Sequence, residues 1–156
     1  MKLAIVSKTP IDVEHYVSGQ EYYLYTLVKA LPRFSIKVDL VYMDQLSNAT
    51  NILSDYDSLH LYYLGFKDVV KVRRIFKNGK LVYQVYHVED VTWTKTHELS
   101  WKAFLISIRP LIDLYLATSR SIYSWIRSRV IESNCVLVEP YYECNCGSFR
   151  KLARIV

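Results

Sequence analysis

Glycine and proline are scarce, with four of each in 156 residues. That scarcity excludes collagen-like and low-complexity chains. The three cysteines, Cys135, Cys144 and Cys146, make an odd count without C-x-x-C spacing, so no disulfide framework is indicated. Cys144-x-Cys146 has no histidine nearby to complete the four ligands of a structural zinc, and the four histidines share no ligand spacing, so no metal is expected. Long apolar runs are also missing. The longest stretch without Asp, Glu, Lys or Arg is the polar segment Gln45 to Ser54, too short and too wet to span a bilayer. Only one Lys and four apolar residues precede Ser7-Lys8, which falls short of a signal-peptide core and leads us to expect a cytoplasmic protein. There is no G-x-S-x-G elbow, Walker loop or H-E-x-x-H, which counts against a triad hydrolase, a P-loop NTPase and a zincin.

What is present is apolar and aromatic. Hydrophobic residues make up 51% of the chain, which excludes disorder, and tyrosine alone occurs fourteen times. The length suits one domain with a single core. The net charge of +5 raises the question of nucleic acid, but binding it needs a focused basic stripe. Here the cations are spread over Lys67 to Lys80, Arg120 to Arg129 and Arg150 to Arg154, as on solvated helix faces, so no nucleic-acid partner is expected.

Two periodicities alternate along the chain. Leu3-Ala4-Ile5-Val6 is a continuous apolar run, the mark of a buried central strand. A loop follows, and a helix opens at Gly19 with Leu24, Leu27, Val28 and Leu31 on one face and Pro32 closing it. Ile36 to Tyr42 alternates as a second strand, and Leu59 to Tyr63 reads as a third. Phe66 to Asn78 is a helix with Phe66, Val69, Val70 and Phe76 broadly inward, stopped by Asn78-Gly79. Leu81 to Tyr86 is a fourth strand. His97 to Ile112 is a helix that Pro110 should kink or end early. Leu114 to Ala117, a helix capped at Thr118-Ser119 and carrying Ile122, Trp125, Ile126 and Val130, and a strand from Cys135 to Val138 complete the series. Strands joined by single helices imply parallel pairing through right-handed crossovers. The expected fold is therefore an α/β, Rossmann-like, doubly wound parallel sheet of about six strands in one domain.

In such a sheet ligands bind beyond the carboxyl ends of the strands, near the switch in strand order. The loops to inspect follow Ser7, Tyr63, Tyr86, Thr118 and Val138. Ser18-Gly19-Gln20 opens a helix whose free N–H groups and positive dipole end attract phosphate, although a plain helix start reads the same way. One glycine replaces the three of a dinucleotide turn, which disfavours an ordinary NAD site. His87, followed by Glu89 and Asp90, sits where a strand meets its loop. Its imidazole titrates near neutrality and can bond a sugar hydroxyl or a phosphate, or it is a histidine packed beneath the loop. Ser119 and Arg120 form a hydroxyl and a cation at a helix start, where a simple N-cap is the more frequent meaning. Glu139 precedes Pro140, which stops sheet pairing. His60 lies mid-strand as a core residue, and His15 and His97 belong to a loop and a helix start.

The ordered series of segments resembles the N-terminal domain of retaining, family-4 type glycosyltransferases built from two Rossmann domains (GT-B). The segments are MKLAIVSKTP, SGQEYYLYTLVKAL, KVDLVY, YDSLHLYYLG, LVYQVYHVED, DLYLATSRS and NCVLVEPYYECNCGSF, and they follow one another in order along nearly the whole chain. The resemblance implies transfer of a hexose-type sugar from a nucleotide-sugar donor to a glycan, lipid or small acceptor, without a metal cofactor. It implies that His87 contacts the transferred sugar and that Gly19, with Gln20, lies at the donor phosphates. Glu89, Asp90, Ser119, Arg120 and Glu139 would fall on the acceptor side or cleft edge. A second, donor-binding Rossmann domain is not in this sequence, so a partner supplying it is expected. Peripheral membrane contact through Lys95, Lys102 and Arg109 beside Trp101, Phe104 and Leu105 is a further implication, against the ordinary reading of that stripe as core. The competing readings are a non-catalytic binding module that has lost its donor half and a small nucleotide-binding regulator.

Overall fold

The computed structural model describes residues 1–8, 10–11, 19–47, 52–85, 95–130 and 134–138, with the backbone alone at 19–21, 47 and 52. The expected alternation is present. In chain order the main elements are β1 (Lys2–Ser7), α1 (Gly19–Ala30), β2 (Lys37–Tyr42), β3 (Ser58–Tyr62), α2 (Phe66–Ile75), β4 (Lys80–Val85), α3 (Lys95–Ile108), β5 (Leu114–Ala117), α4 (Arg120–Arg129) and β6 (Cys135–Leu137). The six strands form one sheet in the order β2-β1-β3-β4-β5-β6, and every pairing is parallel.

The apolar run of β1 is buried from Leu3 to Val6 because this strand has neighbours on both edges and layers on both faces. Its alternate residues divide between two cores. Leu3 and Ile5 pack with Tyr23, Leu24, Leu27 and Leu31 of the α1 layer. Ala4 and Val6 join Leu59, Leu61 and Tyr83 beneath Val69 and Val72 of α2, Leu105 and Ile108 of α3, and Ile122, Trp125 and Ile126 of α4. Helices thus cover opposite faces according to the direction in which the chain leaves β1, as right-handed crossovers require. The direction reverses between β1 and β3, and that is the switch point.

Pro110 ends α3 as anticipated, since it lacks an N–H to continue the helix, and Arg109–Leu111 form a 3₁₀ turn instead. The reading of α2 needs correction. Val69 and Val72 are its buried residues, Phe66 is 47% exposed, and the helix stops at Ile75. Phe66 follows the N-capping Gly65, at the open end of the layer, and so escapes cover. Phe76 turns inward after the helix and lies over Gly79, where an added Cβ would stand 1.8 Å from its ring.

Two polar ties secure the helical layer, one to the entries of the sheet strands and one between its own helices. Arg73 donates to the carbonyls of Leu111 (2.8 Å) and Gly79 (3.1 Å) and to Asp113 Oδ2 (2.7 Å). The same carboxylate oxygen accepts from Leu81 N at 2.8 Å, so one guanidinium gathers the entries to β4 and β5. Glu98 of α3 receives Trp125 Nε1 at 3.0 Å and pairs with Arg129 of α4.

Candidate functional site

The carboxyl ends of the strands define one rim. β1 arrives there at Ser7, and α1 must start at the same rim, because it runs back to deliver the chain to the amino end of β2, where Lys37 N donates to Met1 O at 3.0 Å. The first turn of α1, at Gly19 and Gln20, therefore lies on the switch-point side, with the positive dipole end that helix N-termini offer to anions.

Across the switch point β3 ends in a turn with an unusual backbone. Tyr63 lies outside the strand at φ 56°, in the left-handed region that a bulky residue adopts at a cost. Its side chain is 59% exposed, and its ring stands 5.7 Å from that of Tyr62. The next residue is anchored: Leu64 is buried, and its carbonyl accepts from Tyr83 Oη at 2.9 Å. Gly65 then caps α2, and Val69 N donates to its carbonyl at 3.0 Å.

Beside this turn, on the α3 side of the sheet, lies a cavity of about 370 Å³ lined by Tyr63, Tyr83, Trp101 and Phe104, with Leu64, Gly65 and Ser100. Its rings meet edge to face. Trp101 and Phe104 stand 5.6 Å apart at 86°, and Tyr83 and Phe104 stand 5.7 Å apart at 63°. Burial raises the Tyr83 phenol well above its ordinary pKa, with charges on Tyr115 and Tyr63 adding to the effect, so it stays neutral. The sequence reading did not find this cavity, because its residues come from segments with no common spacing.

The residues singled out from sequence fare differently. Ser119 is the N-cap of α4, its Oγ accepting from Ile122 N at 3.2 Å, and Arg120 is the exposed first residue of that helix. Both sit where β5 reaches the rim, and the capping role is the one visible in the geometry. β4 reaches the rim at Val85, but His87, Glu89 and Asp90 lie outside the described residues, as do Glu139, Cys144, Cys146 and His15. His97 is in the first turn of α3 and exposed. Leu105 is fully buried, and Trp101 and Phe104 pack against the same core, so the stripe weighed for membrane contact faces inward. Among the described residues no group of three or more His, Cys, Asp or Glu could hold a metal ion. No helix among them is long and apolar enough to cross a membrane.

One buried polar pair went unnoticed in the sequence. His60 was placed correctly in the core, but its partner is Gln84 on the neighbouring strand, and both are buried on the α1 face of the sheet. Gln84 Oε1 can only accept, so His60 Nε2 carries the proton and Nδ1 is a bare acceptor without a partner among the described residues. Protonation would bury a charge there. Desolvation accordingly lowers the His60 pKa to about 4, outweighing the opposite pull of the Gln84 bond. Cys135, buried at the start of β6, has its thiol pushed up to about 12 by burial despite Arg127, which makes it unreactive.

No protein-family model matches the sequence, and no curated protein matches it. Solved structures do share the fold. Anabaena HepE in complex with UDP and glucose superposes with a TM-score of 0.60 at 11% identity, over 93% of this chain and 46% of that one. HepE in complex with UDP gives a TM-score of 0.58 at 12% identity, over 93% and 45% respectively. This chain thus spans less than half the length of HepE, and what the two share is the α/β, Rossmann-like architecture.

Proposed function

We propose that this chain forms the acceptor-side wall of a glycosyltransferase cleft, which transfers a sugar with retention from a nucleotide-sugar to a glycan, lipid or small acceptor. The observation that carries the reading is the opening of α1 at the switch-point rim, in a fold shared with a protein that holds UDP and glucose. In this reading the amides of Gly19 and Gln20 receive the diphosphate, as helix N-termini receive anions. His87, two residues beyond the end of β4, bonds a hydroxyl of the transferred sugar. Glu89, Asp90, Ser119, Arg120 and Glu139 border the acceptor. The sheet holds these groups in place, which is how positioning lowers a two-substrate barrier.

A second Rossmann domain completes the cleft and grips the nucleotide. Contact with an anionic membrane is part of the proposal, with its route revised. Leu99 and Ile106 are the exposed apolar residues of α3, and they share that helix with Lys95 and Lys102, with Arg109 just beyond its end. The test is sugar transfer from UDP-glucose by the chain together with its second domain. His87→Ala should lower turnover at least tenfold, the scale of one general acid–base or orienting group. Unchanged turnover removes His87 from the mechanism, and donor or glycan binding without transfer returns the reading of a non-catalytic module.

A further inference from the structure

We infer that the cavity between the β3–α2 turn and α3 binds a neutral aromatic ring, carried by the acceptor as an aryl aglycone. The inference rests on the reading above for the word acceptor, but the cavity's preference follows from its own walls.

Its volume, about 370 Å³, lies at the lower end of the range for small-molecule sites, roughly 300–1,000 Å³. That is room for a compact ring system rather than an extended chain. Tyr63, Tyr83, Trp101 and Phe104 line it, and Phe104 stands at a large angle to both Tyr83 and Trp101. A ring entering such a space finds edge-to-face partners on more than one side, an arrangement that gains beyond simple area burial. Among the described lining residues none carries a charge. Apolar atoms make up most of the described wall, so burying a ring there gains more than placing a charge beside it.

A bare sugar ring fits poorly for a related reason. Its hydroxyls both donate and accept, whereas the Tyr83 and Ser100 hydroxyls have given their protons to Leu64 O and Thr96 O at 2.9 Å and offer a sugar only acceptor oxygens. The sugar portion of a glycoside therefore belongs outside, toward the switch-point rim, with only the aglycone inside. The mouth is marked by the strained Tyr63 backbone, and strain of this kind concentrates at ligand sites. Gly65 leaves the turn open beside it: a Cβ there would meet only Asp68 Oδ2, at 3.7 Å.

The experiment is calorimetric titration of the full chain with phenyl β-D-glucopyranoside, methyl β-D-glucopyranoside and octyl β-D-glucopyranoside, with the Trp101 indole N–H followed by NMR. The phenyl glycoside should bind saturably and shift the Trp101 signal. The methyl glycoside should bind at least about tenfold more weakly, since it lacks the ring whose burial drives the interaction. Ser100→Trp, at an exposed position of α3 that lines the cavity, should fill it and weaken phenyl glucoside at least tenfold with the circular dichroism spectrum unchanged. Tyr63→Gly removes one wall while relieving the left-handed backbone, so it keeps the fold and should also weaken binding. Equal affinity for methyl and phenyl glycosides, tighter binding of the octyl glycoside, or full affinity in folded Ser100→Trp would each overturn the inference. A parallel titration with UDP, of the chain joined by its second domain, separates the two claims. UDP binding without phenyl glucoside binding defeats the aryl site alone, and the converse defeats the donor reading while supporting the cavity.

Discussion

Acidification should weaken this fold through one residue, His60. In the native sheet its imidazole is fully buried, with Nε2 committed to Gln84 and Nδ1 facing no acceptor among the described residues, and this burial lowers its pKa from 6.5 to about 4. The unfolded chain has no such restraint and takes up a proton below pH 6.5. Between pH 6.5 and 4 the unfolded state therefore holds more protons than the native one, and stability declines as pH falls through that window. Above it the stability is intact, and below it this residue causes no further loss. At 1.36 kcal/mol per pH unit the full effect is about 3 kcal/mol, of which about 2 kcal/mol is lost by pH 5. Against the 5–15 kcal/mol total that is typical of domains, that is a large fraction, roughly a fifth to three fifths. The assay is urea denaturation at pH 7.5, 6, 5 and 4.5, on the wild type and on the His60→Leu/Gln84→Leu double variant. Replacing both partners avoids leaving the Gln84 amide buried without a partner. All other titrating groups are common to both proteins, so the difference isolates His60. The wild type should lose about 2 kcal/mol relative to the double variant between pH 7.5 and 5. Parallel pH profiles, or a His60 ring signal titrating near pH 6.5 by NMR, would refute the reasoning.

Other substitutions test the packing. Gly79→Ala drives a methyl group into the Phe76 ring and should cost about 1–3 kcal/mol by denaturant unfolding, the usual penalty of overpacking. Arg73→Met removes three donated bonds at the amino ends of β4 and β5 and should cost about 1–3 kcal/mol, read the same way. Ser119→Ala deletes the α4 N-cap bond and should cost about 1 kcal/mol. In a Cys144→Ser/Cys146→Ser background, Cys135 should react with a thiol reagent at pH 8 only as fast as the protein opens, and urea should accelerate the labelling.

The fold was legible because both periodicities are strong. Leu3 to Val6 has no polar interruption, α1 repeats its apolar residues every three or four positions, and Pro110 marks a helix end by its missing N–H. Phase was harder to read than existence. Val69, Val70 and Val72 all fit some helical stripe, and only the register against α3 and the sheet selects Val69 and Val72 for the core. Of the site, the helix starts at Gly19 and Ser119 were readable from local signals. The aromatic cavity was not, because Trp101 and Phe104 stand at a spacing that ordinarily means core, while Tyr63 and Tyr83 reach them only through strand order. The His60–Gln84 pair left a trace, a polar residue flanked by apolar or aromatic ones inside each of two strands. Knowing that they touch required β3 and β4 to be neighbours.

The most direct measurement is the ¹H–¹⁵N spectrum of the labelled chain, joined by its second domain, titrated with UDP. Saturable shifts are expected at the amides of Gly19 and Gln20, with the amides of Lys37 and Lys80 at the opposite edge of the sheet unmoved. Shifts confined to that far edge, or an unchanged pair of α1 amides at millimolar UDP, would contradict the donor reading.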